Sequence, residues 1–481
     1  MNITEPLRRL ARVMPDAVAV IRADNTAVTY RDFDRMIDAA AARLDGTGIA
    51  AGQIAALAII GPDEFPPLVM ALALARAGIA SADPALPADH LQLHLRHASA
   101  PPRDGVRNVA FDAGWTQVPP HGNLPVRPLH PGGAATCRIF SSSGTTGTSK
   151  LTAISHRLIV RRILSNTLSM GPPGRVFVCA VNYGITWGFC AMLQTLWSGG
   201  TLVLTDPARA IETMRRHRAD TLMIAPVSLA QLVGTLPDNA APLASLRQIV
   251  VSGSALPPRL HALTRQRLCP EVITYFGATE TGGIASAPVA ALDGIAGAVG
   301  IVHAGIEVQA VDANDQPLPP GMAGALRIRG DNVVSGYLGA EEATSDAFRD
   351  GWFYSGDMGA VTADGVVTIS GRISDVINAG GIKVSPHVIE DALLILPQIT
   401  EVAAFGVPDD MGIVQIWAAI VSGAPVPKAA LDAVCQGPLA AHPPKFVLRV
   451  QALPRNANGK VLRQELARFV LAQRRGAAAH E

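Results

Sequence analysis

Short apolar runs rich in β-branched residues alternate along this chain with longer segments whose apolar positions recur at helical spacing. Arg31 to Leu44 has helical spacing, Ile54 to Ile60 reads as a buried strand, and Phe65 to Ala77 reads as a helix. Further on, Val176 to Val181, Thr201 to Leu204, Thr221 to Ile224 and Gln248 to Ser252 read as buried strands set between helices. Continuous apolar strands alternating with helices predict an α/β fold with mainly parallel sheets, because such strands are covered on both faces. Val299 to Ile328 differs: β-rich segments are cut by turns at Asn314-Asp315 and Pro319-Pro320-Gly321, which predicts a small β-rich subdomain. Ala100 to Gly133 is rich in Pro and Gly and reads as an irregular connection, and no internal repeat is apparent. A domain boundary is expected near Gly371, giving a large N-terminal part (1–371) and a smaller C-terminal part (372–481) with its own strand and helix signals.

Composition narrows the function. Of 481 residues, 49% are hydrophobic and 16% charged, which suits a globular protein with a large interior. Lys plus Arg (40) nearly balances Asp plus Glu (39), so the net charge of +1 offers no reason to expect nucleic acid or an anionic membrane as partner. The five cysteines, Cys137, Cys179, Cys190, Cys269 and Cys435, form no CxxC pair and fit neither a zinc site nor a disulfide framework. They read as ordinary buried thiols. Met1 to Val20 has no long apolar run and does not read as a signal peptide, and Ile54 to Ile60 is far shorter than the ~20 residues that span a bilayer. A cytoplasmic location is the expectation.

The strongest chemical signal is Ser141-Ser142-Ser143-Gly144-Thr145-Thr146-Gly147-Thr148-Ser149-Lys150. Glycines let backbone N–H groups approach an anion, hydroxyls add donors, and the lysine adds a full positive charge. Such a loop suits a polyphosphate. Its spacing is wrong for GxxxxGK[ST], which disfavours a P-loop kinase or ATPase.

This loop resembles the phosphate loop of the adenylate-forming superfamily, which includes acyl- and aryl-CoA synthetases, luciferases and peptide-synthetase adenylation domains. Further segments match in the same order: Val251 to Ala255, Tyr275 to Gly282, Gly324 to Tyr337, Gly351 to Asp357, Gly371-Arg372 through Pro386, and Pro454 to Lys460. The match covers nearly the whole chain. It implies a mobile α+β C-terminal domain that carries a catalytic lysine.

The resemblance also implies roles for individual residues. Gly253, Ser254, Ala255, Tyr275, Gly277 and Ile369 fall in the nucleotide-binding segments. Phe276 stands where the family stacks an aromatic, more often Tyr, on adenine. Thr279 resembles its phosphate-contacting hydroxyl. Glu280 resembles its Mg²⁺ ligand, a hard carboxylate oxygen suited to that ion. Asp357 matches the acid that accepts hydrogen bonds from the ribose diol, and Arg372 the basic residue beside it. Lys460 matches the lysine that neutralises charge developing on the α-phosphate and carboxylate oxygens as pyrophosphate leaves. Gly380, Gly381 and Lys383 match the segment that serves the thiol-transfer step after a hinge motion at Ser374. The implied cofactors are ATP, Mg²⁺ and coenzyme A, or the phosphopantetheine of a separate acyl carrier protein.

Some positions depart from the family. Ser149-Lys150-Leu151 replaces its usual Pro-Lys-Gly, Ser374 stands for a hinge Asp or Lys, and His387 for a common Glu. None removes a catalytic group. The acid pocket is expected around Asn182, Tyr183, Trp187 and Gly282. Tyr183 occupies the place of the Asp that holds an amino acid's ammonium, so a free α-amino acid is not expected. The His of many CoA ligases would fall near Ile185. The Asn182-Tyr183 pair resembles aryl-acid-activating enzymes, which points to an aryl or small acyl acid. A carrier-loading adenylating enzyme and a catalytically silent nucleotide-binding homologue are the alternatives.

Overall fold

The computed structural model describes residues 1–59, 63–84, 86–117, 128–142, 150–379, 382–409, 411–455 and 461–478. The chain divides into two compact units. One comprises Met1–Gly294, Val299–Val308 and Ile328–Tyr354, the other Ile295–Ala298, Gln309–Arg327 and Ser355–Glu481.

The first unit is an α/β assembly with two mainly parallel sheets. In one, the strands Val18–Ile21, Thr201–Leu204, Val176–Cys179, Thr221–Ile224, Gln248–Val251 and Val272–Ala278 lie side by side, all parallel. Ala27–Thr29 adds an antiparallel strand at one end, and Gly282–Pro288 pairs antiparallel with Val272–Ala278 on the other side. The second sheet runs Arg107–Phe111, Leu93–His97, Ile54–Ala58, Ala80–Ala82, Thr136–Ser142 and Lys150–Ser155, parallel except for the last pair. Strands such as Thr221–Ile224, buried at every residue, have no polar face because helices cover both sides of the sheet.

The helix Phe65–Ala77 shows the same logic. It is buried nearly all round, enters on prolines in its first turn and stops at Gly78, whose φ of +76° costs glycine nothing. Its last turn carries Arg76, whose side chain is fully buried. The guanidinium reaches Asp34 at 2.5 Å and Asp38 at 2.8 Å, and Arg8 joins Asp38 at 2.6 Å. Two cations and two carboxylates thus lock this helix to Tyr30–Asp45 and Glu5–Val13.

One expectation is corrected. Ala100 to Gly133 is not wholly irregular: Arg107–Phe111 is a strand paired in parallel with Leu93–His97, and a short 3₁₀ turn covers Ala113–Thr116. The strand lies at the sheet edge and is only partly buried, so its apolar signal is weak beside the flanking Pro and Gly.

The second unit is β-rich and then α+β. Trp352–Val361 and Val366–Arg372 pair antiparallel, and Ile377–Ala379 pairs with Ile382–Val384. A three-stranded sheet of Ile399–Pro408, Val414–Ser422 and Phe446–Val450 carries the helices Pro386–Leu394, Lys428–Gln436 and Arg463–Ala478. Arg463 ties the last helix to Glu390 at 2.7 Å and to Asp375 at 3.2 Å. Among the described residues no helix is long and apolar enough to cross a membrane. Cys137, Cys179, Cys190 and Cys269 are buried free thiols and Cys435 is half-buried.

Candidate active site

In the first unit, the strand Val272–Ala278 ends in a tight turn that returns as Gly282–Pro288. Alternation along the strand sends Tyr275 inward, whereas Phe276 is only half-buried. Gly277 is glycine because a Cβ there would collide with the Gly282 carbonyl. Gly282 takes φ +70°, and its missing Cβ would meet the Arg162 side chain at 2.8 Å. Thr279 and Glu280 form the turn itself.

Glu280 is 7% exposed, and its Oε1 accepts the Tyr337 hydroxyl at 2.9 Å. The Lys150 ammonium lies 4.7 Å above the same tyrosine ring. Lys150, Tyr337 and Glu280 are therefore one cluster. Arg162 lies beneath it, wholly buried, donating Nη2 to the Glu280 carbonyl at 2.9 Å and Nε to the Asn332 carbonyl at 3.1 Å. Burial lowers the Arg162 pKa, because the charged form loses water.

Behind this turn, a narrow cleft runs between the helices His156–Met170 and Thr186–Trp197 and the sheet. Trp187, Tyr275, Asn166, Ala191, Met223 and Val250 are among the residues that line it, and no charged side chain appears in its lining among the described residues. Trp187 stacks on Tyr275 with centroids 5.7 Å apart, and the Tyr275 hydroxyl donates to Asn166 at 3.3 Å. His303 meets Tyr275 edge-on and pairs with Ser286 at 2.8 Å; burial pushes its pKa down to about 4.

The structure places the expected residues unevenly. Trp187 lines the cleft, but Asn182 and Tyr183 do not. The Asn182 amide donates to Glu64 at 2.7 Å, and Glu64 also accepts the Tyr183 N–H at 3.0 Å. The Tyr183 ring sits 4.6 Å from the buried Arg138 guanidinium, which also faces Phe140 and Phe189. Burial raises the Glu64 pKa. Gly253, Ser254 and Ala255 are exposed just past the strand Gln248–Val251, with Gly253 at φ +101°.

In the second unit, Asp357 and Arg372 face each other across two antiparallel strands and form an ion pair of 2.9 Å. The Ile369 N–H donates to the Gly297 carbonyl at 2.8 Å. Ser374 is exposed and donates to Asp375 at 3.0 Å. Lys383 pairs with Asn378 through its strand. Ser143, Gly144, Thr145, Thr146, Gly147, Gly380, Gly381 and Lys460 lie outside the described residues, as does the side chain of Ser142.

Sequence reasoning gave no role to Arg162, Asn332, Tyr337 or Glu64. Arg162 did leave a signal: it shares the helical stripe Ile159, Arg162, Ile163, Asn166, where a charge is out of place on a buried face.

A sheet whose strands end in Gly-rich turns beside a lysine–tyrosine–glutamate cluster defines a nucleotide-using α/β enzyme. The AMP-binding enzyme model matches residues 7–101 and 106–338, and its C-terminal domain model matches 388–460. The chain is 29% identical to a feruloyl-CoA synthase of Amycolatopsis sp, over 96% of this chain and 98% of that one. It is 33% identical to a sulfoacetate–CoA ligase of Cupriavidus necator, over 76% and 75%. Among solved structures, ATP-bound MatB from Rhodopseudomonas palustris superposes with a TM-score of 0.85 at 26% identity, covering 98% and 99%. The O-succinylbenzoate coenzyme A synthetase MenE of Bacillus subtilis shares the fold, with a TM-score of 0.83 at 22% identity over 96% and 98%. The chain belongs to the AMP-binding enzyme family, within the adenylate-forming superfamily. It is an AMP-forming acid–thiol ligase.

Proposed function

We propose that the enzyme uses ATP to convert an aryl or small acyl acid into its acyl-adenylate, releasing pyrophosphate, and then passes the acyl group to coenzyme A. The observation that carries this reading is the cluster of Lys150, Tyr337 and Glu280 at the turn that closes between Gly277 and Gly282. A cation and fixed donors gathered there favour two approaching anions, phosphate and carboxylate. The cleft's Trp187–Tyr275 stack and amide side chains favour a compact, uncharged body on the acid. Feruloyl-CoA synthase, by its name, serves an aryl acid, in keeping with an aryl body.

The residues present fit Mg²⁺ arriving with ATP. Glu280 supplies one hard oxygen, and no cluster of three His, Cys, Asp or Glu exists among the described residues to hold a resident ion. Bound there, Mg²⁺ would offset charge on the phosphate oxygens. Asp357, with one oxygen on Arg372, is suited to accept ribose hydroxyls. Lys460, in the C-terminal part (372–481), is assigned to the adenylation step, and the Gly380–Lys383 segment to thiol transfer.

An ATP–pyrophosphate exchange screen over aromatic and aliphatic acids, followed by thioester detection with coenzyme A, tests the reading. Formation of ADP, or no acid-dependent exchange with any acid, would overturn it. Lys460→Ala should cripple exchange while leaving thiolysis of supplied acyl-adenylate largely intact; equal loss in both halves would count against the lysine's role.

A further inference from the structure

Glu64 stands at the N-terminus of the helix Phe65–Ala77, yet its carboxylate caps none of that helix's amides. It turns instead to a loop 118 residues away. Oε1 accepts the Asn182 amide at 2.7 Å, and Oε2 accepts the Tyr183 N–H at 3.0 Å. Burial raises the Glu64 pKa, and the Tyr183 N–H and the Arg138 charge oppose that rise. Asn182 is also engaged on its other side. Its Oδ1 accepts the Gly184 N–H at 2.5 Å, and its carbonyl accepts the Ile185 N–H at 3.1 Å. A carboxylate only accepts and a backbone N–H only donates, so one orientation of the Asn182 amide serves both partners. Glu64 thus holds an Asx turn from outside.

The turn feeds directly into the helix Thr186–Trp197, whose N-cap Ile185 supplies no side-chain hydrogen bond. Gly188, in the first turn of that helix, is glycine because a Cβ would meet the Asn182 carbonyl at 2.5 Å. Trp187 lies between the turn and this close approach, and stacks on Tyr275 at 5.7 Å. A displaced Asn182 backbone therefore displaces Trp187, because the Gly188 contact leaves no slack between them. On the other side the Tyr183 ring rests 4.6 Å from the Arg138 guanidinium, on the strand Thr136–Ser142. We propose that Glu64 and Asn182 are positioning residues that fix the pose of Trp187 and, through it, which acids the enzyme accepts. This rests on the acid-activation reading above, with Trp187 as a wall of the acid site.

The test measures ATP–pyrophosphate exchange by the full chain with benzoate, cinnamate, propionate and hexanoate, taking KM for each acid and for ATP. Asn182→Asp sets carboxylate against carboxylate, and Glu64→Gln sets amide against amide. Each should raise acid KM roughly three- to tenfold, the range of a hydrogen bond at an exposed residue such as Asn182. The rise should differ between acids, so that their order by kcat/KM changes, while the ATP KM stays within about twofold. The double variant Glu64→Gln, Asn182→Asp reverses the polarity of the bond without changing its shape, and keeps acceptors for the Tyr183 and Gly184 N–H groups. It should return the acid KM values to within about twofold of wild type. If Asn182→Asp does not fold, Glu64→Gln and the double variant carry the same comparison. The proposal is overturned if the single variants leave acid KM and order unchanged. It is also overturned if the double variant is no better than the singles, as direct contact of the Asn182 amide with the acid would give, or if acid and ATP KM rise together, as general loosening would give. Failure of the acid-activation reading is separate, and shows as a wild type with no acid-dependent exchange.

Discussion

Replacing Tyr337 by Phe removes one oxygen and little else. The ring keeps its edge contact with Phe348 at 5.4 Å and its place under the Lys150 ammonium at 4.7 Å. What is lost is the 2.9 Å hydrogen bond to the nearly buried Glu280 carboxylate. A hydrogen bond to a charged group contributes about 1.5–3 kcal/mol, and removing the donor leaves a carboxylate oxygen poorly solvated. Glu280 should then rotate away from the orientation that the hydroxyl fixes. If that energy is expressed only in the activated complex, acid-dependent pyrophosphate exchange falls roughly 10- to 150-fold in kcat/KM. The loss should be largest at low Mg²⁺ and shrink as Mg²⁺ is raised, whereas the melting temperature should change little. Exchange within about twofold of wild type at every Mg²⁺ concentration would show that the hydroxyl does not position Glu280.

Arg76→Met should destabilise the first unit by about 3–5 kcal/mol, because Asp34 and Asp38 would lose the buried cation they share; a urea-midpoint change worth under about 1 kcal/mol would contradict that. His156 and His303 are held neutral by burial, with pKa values pushed down to about 4. Unfolded histidine titrates near ~6.5, so between that pH and about 4 the unfolded chain binds protons that the folded chain refuses. Stability from these two groups is complete above pH ~6.5 and is lost as pH falls to about 4, by at most about 3 kcal/mol each. Urea midpoints measured across that range should fall with pH, and His303→Asn should flatten the slope; an unchanged slope would contradict the assignment. Trp187→Ala should open the cleft beside Tyr275 and shift kcat/KM toward longer acids, and an unaltered order of acids across the panel would rule out Trp187 as a wall of the acid site.

Much of the first unit was legible from pattern. The helix Phe65–Ala77 and the strands Thr201–Leu204 and Thr221–Ile224 fall where the apolar runs begin and end. A strand covered on both faces must be apolar throughout, and turn residues bound it sharply. Arg107–Phe111 escaped because an edge strand needs no such run. The segment holding Thr279 and Glu280 was legible as a motif, but only the structure shows why Gly277 is glycine: a Cβ there would meet the Gly282 carbonyl.

The chain's own pattern determined the order of strands and helices, the α/β class and the family to which the motifs belong. Local spacing carries such information because neighbouring side chains must share a face. Only the tertiary structure decided which distant groups meet. Arg162 finds its carbonyl partners 118 and 170 residues away, and Asn182 finds Glu64 at a separation of 118. No periodicity records those pairings, because they depend on which strand lies beside which. The sequence could say that a charge sits on a buried helical face; the fold alone set it beneath the Glu280 turn, against two backbone carbonyls.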